Sequence, residues 1–181
     1  MKPILQVEDD PNDVILLQHA LKDAGVKNPI QVANDGREAI DYLQGAGKFG
    51  DRAQFPLPCL VLLDLKLPYV MGLDVLKWIR QQIGMELVVV VLTASAEQAD
   101  VKAAYRLGAN AFLTKPSEAS KLEDMLKALK DFWLTHATMP REPFAEAARS
   151  TPEPRATIFG HLPFNNGTRR EENITERAVN E

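Results

Sequence analysis

Cysteine is all but missing from this chain of 181 residues. Cys59 stands alone, which excludes an intrachain disulfide and a cysteine metal cluster, and its apolar surroundings assign it to the core as a small hydrophobe. Histidine is also scarce: His19, His136 and His161 are isolated from one another, so each is read as a solvent-facing or core side chain. No apolar run approaches the roughly 20 residues of a membrane span. The opening Met-Lys-Pro-Ile-Leu reaches acids by Glu8 without a signal-peptide core, so the expected place is the cytoplasm, with no membrane partner. An excess of basic residues is lacking too: 21 Lys and Arg against 25 Asp and Glu give a formal charge of −4, which argues against a nucleic-acid surface. No internal repeat is evident.

What is present is ordinary for a globular protein, 45% hydrophobic and 25% charged, and long enough for one domain with a real core. The chain is organised around residues 59–68, Cys-Leu-Val-Leu-Leu-Asp-Leu-Lys-Leu-Pro. Leu60 to Leu63 read as a strand buried on both faces. A strand cannot solvate an acid, so Asp64 belongs just past its carboxyl end, where open α/β sheets place their ligands.

Four further strands follow the same grammar. Pro3–Val7 is interrupted by the polar Gln6, a destabilising choice if it is buried unpaired. Ile30–Ala33, Leu87–Leu92 and Ala111–Leu113 are the others. Between them lie helical stretches. Pro11 opens the first with Asp10 as N-cap, Val14, Leu17, Leu21 and Ala24 form its stripe, and Gly25 stops it. Asn34-Asp35-Gly36 leads into a helix bearing Ala39, Ile40 and Leu43, followed by a loop over residues 45–58. Met71-Gly72 opens a third helix with Leu73, Leu76, Ile79 and Ile83. A fourth spans about Ser95 to Leu107, ahead of Gly108. The last starts near Ser117, capped from Ser117 to Ser120, and buries Leu122, Met125, Leu126, Leu129 and Trp133. Five strands alternating with five helices require a parallel sheet covered on both faces.

From Leu134 the character changes. Residues 134–181 hold five prolines, six Arg and seven Glu with no Lys or Asp, and little periodic apolar spacing. A domain over residues 1–133 with a mostly disordered tail over 134–181 is the expected organisation.

The strand ends converge on chemistry. They carry Glu8 and Asp9, Asp64, Thr93 and Lys115, and in a parallel sheet these ends share one rim. Each has a plain alternative taken singly: an acidic helix start, a turn Asp, a capping Thr, a strand-to-helix turn at Lys115-Pro116. Together they assemble a carboxylate nucleophile, Asp64, with acids for a hard cation such as Mg²⁺ and a hydroxyl and an ammonium to grip a phosphoryl group.

Val-Glu-Asp-Asp, Leu-Leu-Asp-Leu-Lys-Leu-Pro, Val-Leu-Thr-Ala and Thr-Lys-Pro, in that order over residues 2–133, resemble the receiver domain of two-component response regulators. The long loop before Asp64 and Asn-Asp-Gly-Arg-Glu-Ala are similar to the receiver-only regulators that partner phytochrome-type histidine kinases. The resemblance implies a flavodoxin-like doubly wound sheet of strand order 2-1-3-4-5 with five helices. It makes Asp64 the phosphate acceptor, and places Glu8, Asp9, Asp64 and the main-chain carbonyl of Lys66 at Mg²⁺. Thr93 and Phe112 become the switch pair, Phe112 standing where many receivers have Tyr. Lys115 pairs with the phosphoryl group, and Pro116 follows a cis bond.

The implied partners are a sensor histidine kinase and a downstream protein or histidine phosphotransfer partner. The face around Tyr105, Leu107 and Ala111 is the expected output or homodimer surface. Two rival functions are a receiver acting purely as a binding module and a haloacid-dehalogenase-like phosphatase. The phosphatase pattern requires a second Asp where Lys66 stands and an acid pair late in the chain, and both counts favour a switch over an enzyme.

Overall fold

Short apolar runs, each ended by a polar residue or a turn, set the sheet. The computed structural model describes residues 1–138. Strands β1 (Ile4–Val7), β2 (Ile30–Ala33), β3 (Leu60–Leu63), β4 (Val88–Thr93) and β5 (Ala111–Thr114) pair in parallel in the order β2-β1-β3-β4-β5. Central β3 and β4 are buried at every position, as the unbroken Leu and Val runs require of strands covered on both faces. In register, Ile4 stands beside Leu60 and Leu60 beside Val88, so β1 and β3 end level at Val7 and Leu63 and β4 runs two residues further, to Thr93.

Helices α1 (Pro11–Asp23), α2 (Gly36–Gln44), α3 (Gly72–Gln82), α4 (Gln98–Arg106) and α5 (Ala119–Leu129) divide between two faces. Alternation along the strands sorts the core accordingly. Leu5, Val7, Val61, Leu63, Val89 and Val91 pack with residues of α2, α3 and α4. Ile4, Leu60, Leu62, Val90 and Leu92 pack with Leu17 and Leu21 of α1 and Leu122 and Leu126 of α5.

Local chemistry explains most of the boundaries. Asp10 caps α1 by accepting from the Asn12 N–H at 2.8 Å, with Pro11 at the first helical position. Asp35 accepts from the Glu38 N–H at 2.7 Å, and Gly45, with φ of 75°, closes α2. Gly72 is needed for space: a Cβ there would stand 2.6 Å from Leu65 Cα and closer still to the Asp64 carbonyl oxygen. The first turn of α3 therefore lies against the backbone that carries Asp64.

Several expectations differ from the structure. Helix α4 begins at Gln98, after Glu97, whose side chain caps nothing; Ser95 stays in the loop. Helix α5 begins at Ala119 after Glu118, and no serine caps it. Cys59 lies just ahead of β3 and is half-buried beside the Pro3 carbonyl, so it is an edge residue of the core. The 45–58 loop is itself ordered by a short 3-10 turn (Gly47–Phe49) and a trio of edge-on rings, Tyr42, Phe49 and Phe55. Arg52 ties this loop to α2 by donating to the carbonyls of Tyr42 at 2.8 Å and Leu43 at 2.6 Å.

Beyond α5 the chain continues as a π-helical segment, Lys130–His136, three residues past the expected domain end at residue 133. The rest of the expected tail, from residue 139, lies outside the described residues. Among the described residues no helix is long and apolar enough to cross a membrane.

Candidate functional site

Lys115 follows β5, and its ammonium is the centre of the rim. It donates to Glu8 Oε2, to Asp13 Oδ2 at 2.8 Å and to Asp64 Oδ2 at 3.1 Å. Glu8 directly follows β1 and Asp64 directly follows β3, so both reach the lysine from the aligned carboxyl ends of neighbouring strands. The Lys115 N–H donates to the Thr93 carbonyl at 2.8 Å, which fixes the root of the side chain against β4.

Asp64 is nearly buried, and its two oxygens have different surroundings. Oδ1 accepts from the backbone N–H of Leu65 at 2.5 Å and of Lys66 at 3.3 Å. Oδ2 takes the hydrogen bond from Lys115. The turn after β3 therefore orients the carboxylate through its own backbone.

Burial pushes the Glu8 carboxyl above its ordinary range and the Asp64 charge adds to this, while the hydrogen bond and charge of Lys115 pull it back. Burial works in the opposite sense on Lys115, but its bonds to Asp13 and Glu8 and the charge of Asp64 outweigh it. The ammonium is held above its ordinary value and stays protonated.

The expected residues do not all meet. Glu8, Asp64 and Lys115 are brought together. Asp9 is exposed and forms no hydrogen bond or ion pair with another described residue, so it stands outside this cluster. Lys66 is exposed and contributes its N–H to Asp64. Thr93 is buried at the end of β4, its Oγ1 accepting from the Ser95 N–H at 3.4 Å. Phe112 pairs in register with Val91, two residues short of Thr93, and packs half-buried against the α4-side core. Its N–H donates to the Tyr105 hydroxyl at 3.3 Å, which ties β5 to α4. The Lys115–Pro116 bond is trans, not cis. Trans is the lower-energy isomer of an X–Pro bond by about 0.5–1 kcal/mol, and here it accompanies both the Thr93 carbonyl contact and the reach to Asp64.

Asp13 is the residue the sequence reading missed. It lies in the first turn of α1, where an acid is expected from the helix dipole alone, and nothing in its spacing marks it as a partner of Lys115.

A hard divalent cation suits the donor chemistry, since every candidate group is an oxygen and the Asp9 carboxylate is unengaged. Among the described residues, however, no three acidic, histidine or cysteine side chains stand in a metal-holding arrangement. Glu8 and Asp64 are turned onto the ammonium instead.

The family model of the response regulator receiver domain matches residues 4–127. The chain belongs to this family. Among curated relatives, the receiver is 38% identical to response regulator Rcp1 of Synechocystis sp. over 140 residues, covering 77% of this chain and 93% of Rcp1. It is similar to the solved phosphorylated cyanobacterial phytochrome response regulator RcpA, with a TM-score of 0.71 and 35% identity over 77% of this chain and 99% of that one. The Mn²⁺-bound form of Rcp1 superposes with a TM-score of 0.70 and 37% identity, covering 78% of this chain and all (100%) of that one. The receiver thus spans nearly the full length of these relatives, and the π-helical segment Lys130–His136 lies beyond the matched family region.

Proposed function

We propose that this receiver takes a phosphoryl group from a sensor histidine kinase of the phytochrome type onto Asp64. The observation that carries the reading is the contact of Asp64 Oδ2 with the Lys115 ammonium at 3.1 Å, on the rim where three strands end. Oδ1 is engaged by two backbone N–H groups, so Oδ2 is the oxygen with the freer lone pair. It attacks the phosphorus of a phosphohistidine. The new O–P bond forms as the P–N bond breaks, and the imidazole leaves with the electron pair and takes a proton from solvent.

Lys115 then pairs with the phosphoryl oxygens as a charge-assisted donor. Glu8, Asp9, Asp64 and the Lys66 carbonyl are the groups that would hold a divalent cation, Mg²⁺, whose charge screens the phosphoryl oxygens when it is bound. The relative Rcp1, solved with Mn²⁺, supports divalent binding here. Thr93, drawn toward the new group, and Phe112 behind it shift a two-state equilibrium of the α4–β5 face, which offers Tyr105, Leu107 and Ala111 to a downstream protein, a phosphotransfer partner or a second copy. The protein acts as a cytoplasmic switch and not as a turnover enzyme, and the tail over residues 134–181 serves in partner binding.

Transfer from an autophosphorylated phytochrome-type kinase tests the reading. Label should pass from the kinase to this chain. No transfer, or equal transfer to an Asp64→Asn variant, contradicts it. Sustained hydrolysis of a generic phosphomonoester would favour the phosphatase reading instead.

A further inference from the structure

A lysine ammonium has three N–H donors. At Lys115 each finds one carboxylate: Glu8, Asp13 and Asp64. We infer that Asp13 is a positioning residue for phosphoryl transfer. With Glu8 it holds two of the three ammonium hydrogens, so that the third is aimed at Asp64 Oδ2. The inference rests on the reading of Asp64 as phosphate acceptor.

The geometry gives each partner a distinct task. Glu8 and Asp64 are buried and approach from strands inside the sheet. Asp13 comes from outside, from α1, with its side chain 39% exposed. Its place is fixed by the cap one turn back: Asp10 receives the Asn12 N–H, Pro11 starts the helix, and the first turn carries Asp13 over the rim. A lysine stem has four flexible bonds, and two buried acceptors leave its ammonium free to rotate about the line joining them. A third acceptor on a different element removes that freedom.

When Asp64 Oδ2 becomes the bridging oxygen of the acyl phosphate it loses its charge and accepts poorly. The donor it releases then faces the phosphoryl oxygens while Glu8 and Asp13 keep their bonds. Lys115 needs no reorganisation at the moment of transfer.

A helix-dipole role is the competing account of Asp13. It predicts a less stable α1 in the absence of the carboxylate and no change at Lys115. A purely repulsive role, an extra negative charge facing an anionic donor, predicts faster transfer once the charge is removed.

The test uses the full chain as the native protein and as Asp13→Asn, Asp13→Ala and Asp13→Glu variants. Two quantities are measured: the rate of adduct formation with acetyl phosphate, and the ¹H–¹⁵N correlation of the Lys115 ammonium in the unphosphorylated protein. The expected result is a rate about tenfold lower for Asn and Ala, largely restored by Glu. In parallel, a slowly exchanging ammonium signal is expected in the native and Glu forms and fast exchange in the other two. An Asp13→Asn rate equal to or above the native one, or an ammonium signal insensitive to Asp13, overturns the inference. A native chain that forms no adduct at all sinks the acceptor reading, whereas the ammonium comparison fails or holds independently of it.

Discussion

Lys115 and Asp64 touch across an intervening strand. The ammonium follows β5 and the carboxylate follows β3, with β4 between them, so the side chain spans two strand spacings of about 5 Å each to reach 3.1 Å from Asp64 Oδ2. Only a long, unbranched side chain rooted at the rim can do this, and its root is fixed by the bond to the Thr93 carbonyl. The contact makes the rim a single charged unit instead of a set of separate strand ends.

Removing that cation should therefore cost stability as well as function. Lys115→Met leaves the Glu8 and Asp64 carboxylates buried without a counter-charge. Loss of about 3 kcal/mol is expected in metal-free buffer, read as a lower urea midpoint. An unchanged midpoint would mean that the carboxylates are compensated by something other than Lys115.

Gly72→Ala is expected to act on the site from outside it. The new methyl would collide with the backbone of Asp64 and Leu65, which cannot rotate away as a side chain could. A cost of about 1–3 kcal/mol is expected in thermal unfolding. Asp64 phosphorylation should slow as well, because the displaced turn supplies the N–H donors to Oδ1. A variant with native stability and native phosphorylation would show that the β3–α3 turn is not constrained in this way.

Gln6 marks the opposite case, a residue whose replacement should help. It is 1% exposed, its Nε2 reaches the Val14 carbonyl only at 3.4 Å, and its Oε1 has no partner among the described residues. Gln6→Leu has similar volume and joins the apolar α1–α5 face, so a gain of about 1 kcal/mol is expected by urea unfolding. A loss of that size would reveal a polar partner for Oε1, such as a buried water.

Acid should weaken the start of α2. Burial alone would raise the Glu38 carboxyl, but its bonds from the Asn34 backbone N–H at 2.7 Å and from Lys48 hold it below its ordinary 4.5. A carboxylate depressed in the folded state adds stability above 4.5, and that stability is lost as pH falls through the lower folded value. Glu38→Gln should flatten this part of the stability–pH curve below 4.5, measured by thermal melts. Parallel curves for the two proteins would contradict it.

How much of this was legible in the sequence depended on whether a signal was local. The strands were readable because unbroken apolar runs such as Leu60–Leu63 and Val88–Leu92 have few other uses, and the Asp10-Pro11 and Gly25 signals fixed the two ends of α1. The buried Gln6 was visible as a break in such a run. The starts of α4 and α5 were not, because Ser95 and Ser117 are plausible caps and only the loop path decides whether they are used. Asp13 was hidden behind a sufficient local reason to be acidic, and the sequence adjacency of Glu8 and Asp9 did not reveal that only Glu8 turns onto Lys115 while Asp9 stays exposed. The ring trio and Arg52 in the 45–58 loop depend on tertiary contacts that no period announces.

The central claim, that Asp64 is the acceptor, is tested most directly by intact mass. The native chain and an Asp64→Asn variant are incubated with Mg²⁺ and acetyl phosphate, alongside native chain without Mg²⁺. A single phosphoryl adduct, labile to alkali, Mg²⁺-dependent and missing from the variant, is the predicted result. An adduct that persists in Asp64→Asn, or none on the native chain, would contradict it.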